Sequence, residues 1–142
     1  MSQETDSTED RLAHLLALAI NLEPMLFEEV VQVATTDNLT GAYKLSFFRT
    51  NLKNELKRAH ILRYPVGLLL LDVELPDDIE QQYRILAADQ ALKAVADTVS
   101  EELRTTDWLA RCGSDEFAVV LPGCPPDQLM DIARRLLSKV MA

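Results

Sequence analysis

Residues 110–122 read ARCGSDEFAVVLP, and the assembly of the rest of the chain follows from how this stretch is read. Asp107–Cys112 (DWLARC) and Glu116–Leu121 (EFAVVL) are short apolar runs of alternating or near-continuous character. Gly113, Ser114 and Asp115 separate them, which predicts a β-hairpin with two acids, Asp115 and Glu116, at its tip. On spacing alone, acids at such a tip read as solvated turn residues.

Upstream, residues 64–76 read YPVGLLLLDVELP. The apolar residues are successive rather than alternating, so the segment reads as a strand buried on both faces, ending in Asp72 and Glu74. Residues 76–87 are acidic and irregular, with room for one short helix. A helix is expected from Asp89, with Leu92, Val95, Ala96, Val99 and Leu103 on one face. Beyond the hairpin, Pro125 and Pro126 open a last helix through DQLMDIARRLLSKVM. Toward the N-terminus, Phe48, Leu52, Leu56 and Ala59 mark another helix, preceded by a turn at Asp37, Asn38 and Gly41. Leu12, Leu15, Leu16 and Ala19 form a helical stripe. Pro24 ends or kinks it and starts a second helix with Leu26, Val30 and Val33. Residues 1–10 carry four acids and no base, and read as disordered. The order helix–helix–helix–strand–helix–strand–strand–helix predicts an α/β or α+β sheet with helices on one face. If the hairpin packs beside the first strand, Asp72, Asp115 and Glu116 converge, and oxygen donors of that kind suit Mg²⁺.

The bulk numbers bound the function. A formal net charge of −9 over 142 residues argues against a nucleic-acid binder, whose affinity is built from clustered Lys and Arg. The polar N-terminus does not read as a signal peptide, and the longest apolar run is too short to span a bilayer. Cys112 and Cys124 have no metal-ligand or disulfide spacing, which suits a reducing cytoplasm. His14 and His60 have no ligand partner at useful spacing.

Four stretches together resemble the GGDEF domain of diguanylate cyclases: DNLTGAYKLSFF (37–48), LLLLDVE (68–74), DQALKAVADTVSEELRTTDWLAR (89–111) and the signature-like GSDEF (113–117). The resemblance runs from about Thr36 to Ala142 and divides the chain into an N-terminal helical segment, 1–35, and a GGDEF-like domain, 36–142. It implies a palm-like α/β (α+β) fold with a mainly antiparallel sheet. It also implies a chemistry that joins two GTP into cyclic di-GMP, with Mg²⁺ as cofactor.

Carried over residue by residue, the resemblance implies Mg²⁺ ligation by Asp72, Asp115 and the carbonyl of Val73, and a catalytic role for Glu116 with Asp115. It implies guanine contacts from Asp89 and from the position of Glu80, where the family has Asn, and close approach of substrate to Gly113 and Ser114. R-T-T-D, with Arg104 and Asp107, stands where the family keeps an inhibitory site for cyclic di-GMP.

Several positions depart from the pattern. Glu80 accepts hydrogen bonds but cannot donate like an amide. Asp77 reverses the charge of a phosphate-facing Lys, and Ser114 replaces the second signature Gly. The family pattern also continues beyond Ala142 with a further strand and a basic helix. The leading expectation is therefore a degenerate member of cyclic di-GMP signalling with impaired catalysis, binding GTP or cyclic di-GMP. An active cyclase and a palm-derived scaffold are the alternatives. The first strand, left as an edge, is expected to recruit a second copy or a partner protein. Neither nucleic acid nor membrane is expected as a partner.

Overall fold

The structure, a computed structural model, describes residues 9–12 and 24–141. The expected stripe at Leu15, Leu16 and Ala19, and His14, lie outside these residues. Residues 9–12 are helical, so the disorder expected through residue 10 does not include Glu9 and Asp10.

Helix α1 spans Pro24–Thr35 and starts at the proline, whose fixed φ and missing N–H suit a first helical turn. Its expected apolar stripe is largely unpartnered: Leu26 is 45% and Val33 73% exposed. The turn that follows is locked locally. The Asp37 carboxylate accepts the Thr40 amide at 3.0 Å and the Thr40 hydroxyl at 2.7 Å. Gly41 takes φ 74°, a conformation that a Cβ resists. A two-residue strand β1, Tyr43–Lys44, comes next and was not foreseen. Helix α2, Leu45–Leu62, ends where Arg63 adopts a left-handed conformation and donates its N–H to Ala59.

Strand β2 covers Val66–Asp72. A 3-10 turn at Gln81–Tyr83 leads into α3, Arg84–Glu102, which therefore begins before Asp89. Strands β3, Trp108–Arg111, and β4, Glu116–Pro122, form the expected hairpin, and α4 spans Pro126–Met141.

The sheet order is β1-β3-β4-β2. Strands β2 and β3 both run antiparallel to β4, while β1 is parallel to β3. Because side chains alternate across a sheet, the strands divide cleanly between two faces. Leu109, Phe117, Val119 and Leu121 pack with Leu92, Ala96 and Val99 of α3 and Leu136 of α4. Trp108 lies on the other face, where its ring meets Phe48 of α2 edge-on with centroids 5.9 Å apart. Helices thus cover both faces of the sheet, not one as expected.

Strand β2 is also not buried on both faces. Leu69 and Leu71 pack on the core, but Leu68 is 41% and Leu70 74% exposed. Among the described residues β2 is an outer strand of the sheet, and Leu68 and Leu70 lie on its outward face. Its inner face, by contrast, is tight. A Cβ on Gly67 would come within 2.9 Å of Leu129 Cδ1 and 3.3 Å of Leu121 Cβ and Cys124 Cβ, so glycine gives α4 a close approach that a side chain would make these neighbours yield to.

Candidate functional site

The site grows from the β3–β4 turn. Cys112 N–H donates to the Glu116 carbonyl at 2.8 Å and closes the hairpin. Arg63 is the one non-glycine residue with positive φ among the described residues, so Ser114 needs no left-handed backbone and the turn accepts its Cβ without strain. Arg111 then fastens the turn to the body of the domain. Its Nη2 donates to the Ser114 carbonyl at 2.8 Å, and its Nη1 reaches Asp37 Oδ2 at 3.2 Å. Burial pushes the Asp37 carboxyl upward, but the Thr40 hydroxyl and amide and the Arg111 guanidinium outweigh it and hold the pKa below its ordinary value.

The acids gather where β2 and β4 end together. Val73 N–H donates to the Asp115 carbonyl at 2.8 Å. One step inward, Asp72 and Glu116 are direct register partners. Alternation along an antiparallel ladder makes theirs the non-hydrogen-bonded type of pair, in which side chains stand closer, about 4.5 Å between Cα atoms. Like charges directly opposite each other are destabilising. Neither acid has a cationic partner among the salt bridges of the described residues. The first signature glycine completes the contact: a Cβ on Gly113 would lie 3.3 Å from Glu116 Oε2.

A small cavity of about 160 Å³ opens here, lined by Leu70, Leu71, Asp72, Cys112, Glu116 and Phe117. It is smaller than the ~300–1,000 Å³ of typical small-molecule pockets, so a nucleotide would rest largely outside it. A larger cavity of about 450 Å³, lined by Leu12, Val33 and Phe47 among others, lies between α1 and α2 and includes none of these acids. Burial and the neighbouring Glu116 charge raise the Cys112 thiol pKa. Cys124 is buried in the core, as befits a small apolar residue.

Among the described residues, no group of three or more His, Cys, Asp and Glu side chains is arranged to hold a metal. The expected convergence of three carboxylates thus reduces to the Asp72–Glu116 pair, with Asp115 joined through its backbone carbonyl. The implied ligand set needs two carboxylates and a carbonyl. Its donor chemistry fits a hard divalent cation, and the unpaired like charges of Asp72 and Glu116 are what such a cation relieves.

The remaining expected site residues stand apart from the tip. Asp89 is exposed in the second turn of α3, not at the helix start, because α3 already begins at Arg84. Glu80 is exposed and accepts Gln82 Nε2 at 3.1 Å. Asp77 and Asp78 are exposed in the same loop. Arg104 and Asp107 form their own closed unit. Arg104 Nε and Nη2 donate to the two Asp107 oxygens at 3.0 and 2.8 Å, and Nη2 also reaches the Pro122 carbonyl at 2.9 Å. That pairing raises the Arg104 pKa.

The sequence reading did not name the Asp37–Arg111 pair. Its visible signals were the D-x-x-T turn and an arginine three residues before Ser114.

Fold and site together define a palm-like α+β domain with an acidic pair at the shared end of two strands. Residues 34–142 match the family described as "Diguanylate cyclase, GGDEF domain", and the chain belongs to that family. It is 33% identical over 117 residues to a Bacillus subtilis protein, YhcK, covering 82% of this chain and 33% of the relative. It is 31% identical over 102 residues to diguanylate cyclase DgcS of Shewanella oneidensis, covering 72% of this chain and 34% of that one. The chain therefore spans about a third of the length of these relatives. Among solved structures, it is similar to the coiled coil and GGDEF domain of DgcB from Caulobacter crescentus in complex with c-di-GMP. The TM-score is 0.72 at 25% identity, with 92% of this chain and 68% of that one covered. The fold is shared as well with diguanylate cyclase SiaD from Pseudomonas aeruginosa, at TM-score 0.69 and 20% identity, over 97% of this chain and 54% of that one.

Proposed function

We propose that this domain is a degenerate member of the family that binds guanine nucleotides in cyclic di-GMP signalling and condenses GTP poorly. The observation that carries this reading is the contrast along one strand exit. The Asp72–Glu116 pair is intact at the sheet end, while the loop directly after it presents Asp77, Asp78 and Glu80 to solvent. Carboxylates beside a triphosphate repel it, by about 1 kcal/mol per charge pair at 4 Å in water.

Asp72, Asp115 and the Val73 carbonyl would hold Mg²⁺. When bound, the ion would screen the acids and the phosphates and favour ionisation of an attacking hydroxyl. Glu116 stands opposite Asp72, where a carboxylate accepts a proton or orients a hydroxyl. Gly113 keeps the turn free of a side chain against Glu116. Asp89 is the remaining acceptor for guanine N–H donors, and Glu80 supplies no amide donor.

The structure of DgcB with c-di-GMP supports cyclic di-GMP as a ligand class for this fold. At R-T-T-D the ligand must compete with the internal Arg104–Asp107 pair, so binding there is weak. The cytoplasm is the matching compartment for such chemistry.

Two experiments test the reading. Calorimetry with GTP and Mg²⁺ is expected to give weak binding that Asp72→Asn abolishes. Titration with cyclic di-GMP is expected to give weak binding lost on Arg104→Ala. The alternative, an active cyclase, is favoured by the intact tip, and it requires conversion of GTP to cyclic di-GMP that Glu116→Gln removes. Absence of binding to either nucleotide would leave the scaffold reading.

A further inference from the structure

The charge of the chain is unevenly spread. Residues 44–63, which include helix α2, hold six of its 14 Lys and Arg residues and one of its 23 acids, a net +5 that leaves −14 for the rest. The whole-chain charge of −9 therefore hides a basic surface. The one acid, Glu55, accepts the Tyr64 hydroxyl at 2.6 Å. Lys53, Lys57, Arg58 and Arg63 are all exposed, and none forms an ion pair among the described residues. Toward the start of α2, Glu9 lines a cavity with Thr50 and Asn51, which confines the basic patch to the C-terminal half of the helix.

The phase of α2 decides where these cations point. Phe48, Leu52, Glu55 and Ala59 form the side against the sheet, where Phe48 meets Trp108 and Ala59 is buried. At 3.6 residues per turn, Lys53, Lys57 and Ile61 run along the opposite side, with Arg58 and His60 on its flanks. Ile61 is 74% exposed there, and Leu62, at the helix end, 64%. This face is set by how α2 sits on its own sheet, so it looks away from every strand, β2 included.

We propose that this face of α2 docks on an anionic phospholipid bilayer, with Ile61 entering the headgroup layer and Lys53, Lys57, Arg58 and Arg63 meeting lipid phosphates. Cations clustered around an apolar residue on an exposed helix suit such a surface. The patch offers less to a protein or a nucleic acid. It has no aromatic residue to fill a pocket or stack on a base, since Tyr64 is tied to Glu55.

The fold keeps the acids away from this face. Helix α2 ends where β2 begins, at Val66 beside Pro122, and the Asp72–Glu116 pair stands six residues further on, about 20 Å along the strand. Asp127 and Asp131 belong to α4, which packs on the other face of the sheet. The whole sheet lies between, a separation well above the Debye length of about 8 Å at physiological salt. A docked domain therefore leaves the acidic tip open at its far end. The docking itself requires no nucleotide.

The test is co-sedimentation of the purified chain with lipid vesicles, without nucleotide. Mixed phosphatidylglycerol–phosphatidylcholine vesicles are expected to bind it, and pure phosphatidylcholine vesicles are not. Binding falls at least about tenfold as salt rises from about 0.1 M to about 1 M and the Debye length shrinks from about 10 to about 3 Å. Lys57→Glu with Arg58→Glu weakens binding at least about tenfold, with an unchanged melting curve because both side chains are exposed. Ile61→Ser weakens it at constant charge. Lys93→Glu with Arg134→Glu changes the net charge as much, from exposed positions on α3 and α4, and leaves binding unchanged. Binding to neither kind of vesicle, equal binding to both, equal losses in the two charge-reversed pairs, or indifference to Ile61→Ser would overturn the proposal.

Discussion

Strands β2 and β4 are both seven residues long, both almost wholly apolar in their middles, and paired to each other along their full length. Their fates differ. In β4, Phe117, Val119 and Val120 are entirely buried, and Leu121 nearly so. In β2, burial alternates and Leu70 is three-quarters exposed. Hydrophobic content does not explain the difference, because four consecutive leucines occupy the middle of β2. Neighbours explain it. Strand β4 has a strand on each side and a helix over each face, whereas among the described residues β2 pairs with one strand, β4, and its exposed leucines lie on the outer face.

The largest expected effect lies in β4. Phe117→Ala removes a fully buried ring and is expected to destabilise the domain by about 3–5 kcal/mol in urea unfolding. A loss under about 1 kcal/mol would mean that β4 is not the centre of the core.

Next comes the inner face of β2. Gly67→Ala drives a methyl into Leu129 and is expected to cost about 1–3 kcal/mol, although alanine has the higher intrinsic stability elsewhere. If Gly67→Ala is neutral, α4 does not pack where the structure puts it.

The Asp37–Arg111 link comes third. Both side chains are largely buried, at 23% and 20% exposure, and Arg111→Ala is expected to cost about 1–2 kcal/mol. The sign of its pH dependence follows from the lowered folded-state pKa of Asp37. Its stabilisation is present above the unfolded-state value and is lost as pH falls through the lower folded-state value. Asp37→Asn should therefore flatten part of the decline in stability below about pH 4, measured by melting temperature across pH. An unchanged acid limb would count against the link.

The smallest expected change in stability is on the outer face of β2. Leu70→Thr should alter stability by less than about 0.5 kcal/mol, in contrast to the inner face one residue away. At the tip shared by the two strands, Cys112 gives a readout without nucleotide. Its raised pKa predicts slow alkylation near neutral pH, and Glu116→Gln, by removing the negative neighbour, should quicken it. Equal rates would place Glu116 away from the thiol.

The hairpin and the acids at its tip are legible because two apolar runs around a short Gly-Ser-Asp turn are a local signal, and the helices on either side because their apolar residues recur at helical spacing. The burial of β2 is not. Successive leucines look the same whether a second helix covers them or not, and coverage is a property of the assembled sheet. Strand β1 escaped notice because two residues carry no period; pairing with β3, far along the chain, defines it. The Asp37–Arg111 pair joins positions 74 residues apart, and nothing local to either residue announces the other. The sequence signal for α3 begins only at Asp89, because Arg84–Ala88 follows an irregular acidic loop without a capping residue to mark the boundary. Only the register showed that Asp72 faces Glu116 and that Asp115 contributes its backbone to Val73.

The most direct test of the account is incubation of the purified chain with GTP and Mg²⁺, followed by chromatography of the nucleotides. For a degenerate domain, GTP is expected to be recovered almost unchanged, with only traces of cyclic di-GMP, and exchanging Asp77 for Lys and Glu80 for Asn together is expected to raise the product. Efficient conversion to cyclic di-GMP by the unaltered chain, abolished by Asp115→Ala, would contradict it and make this domain a working cyclase.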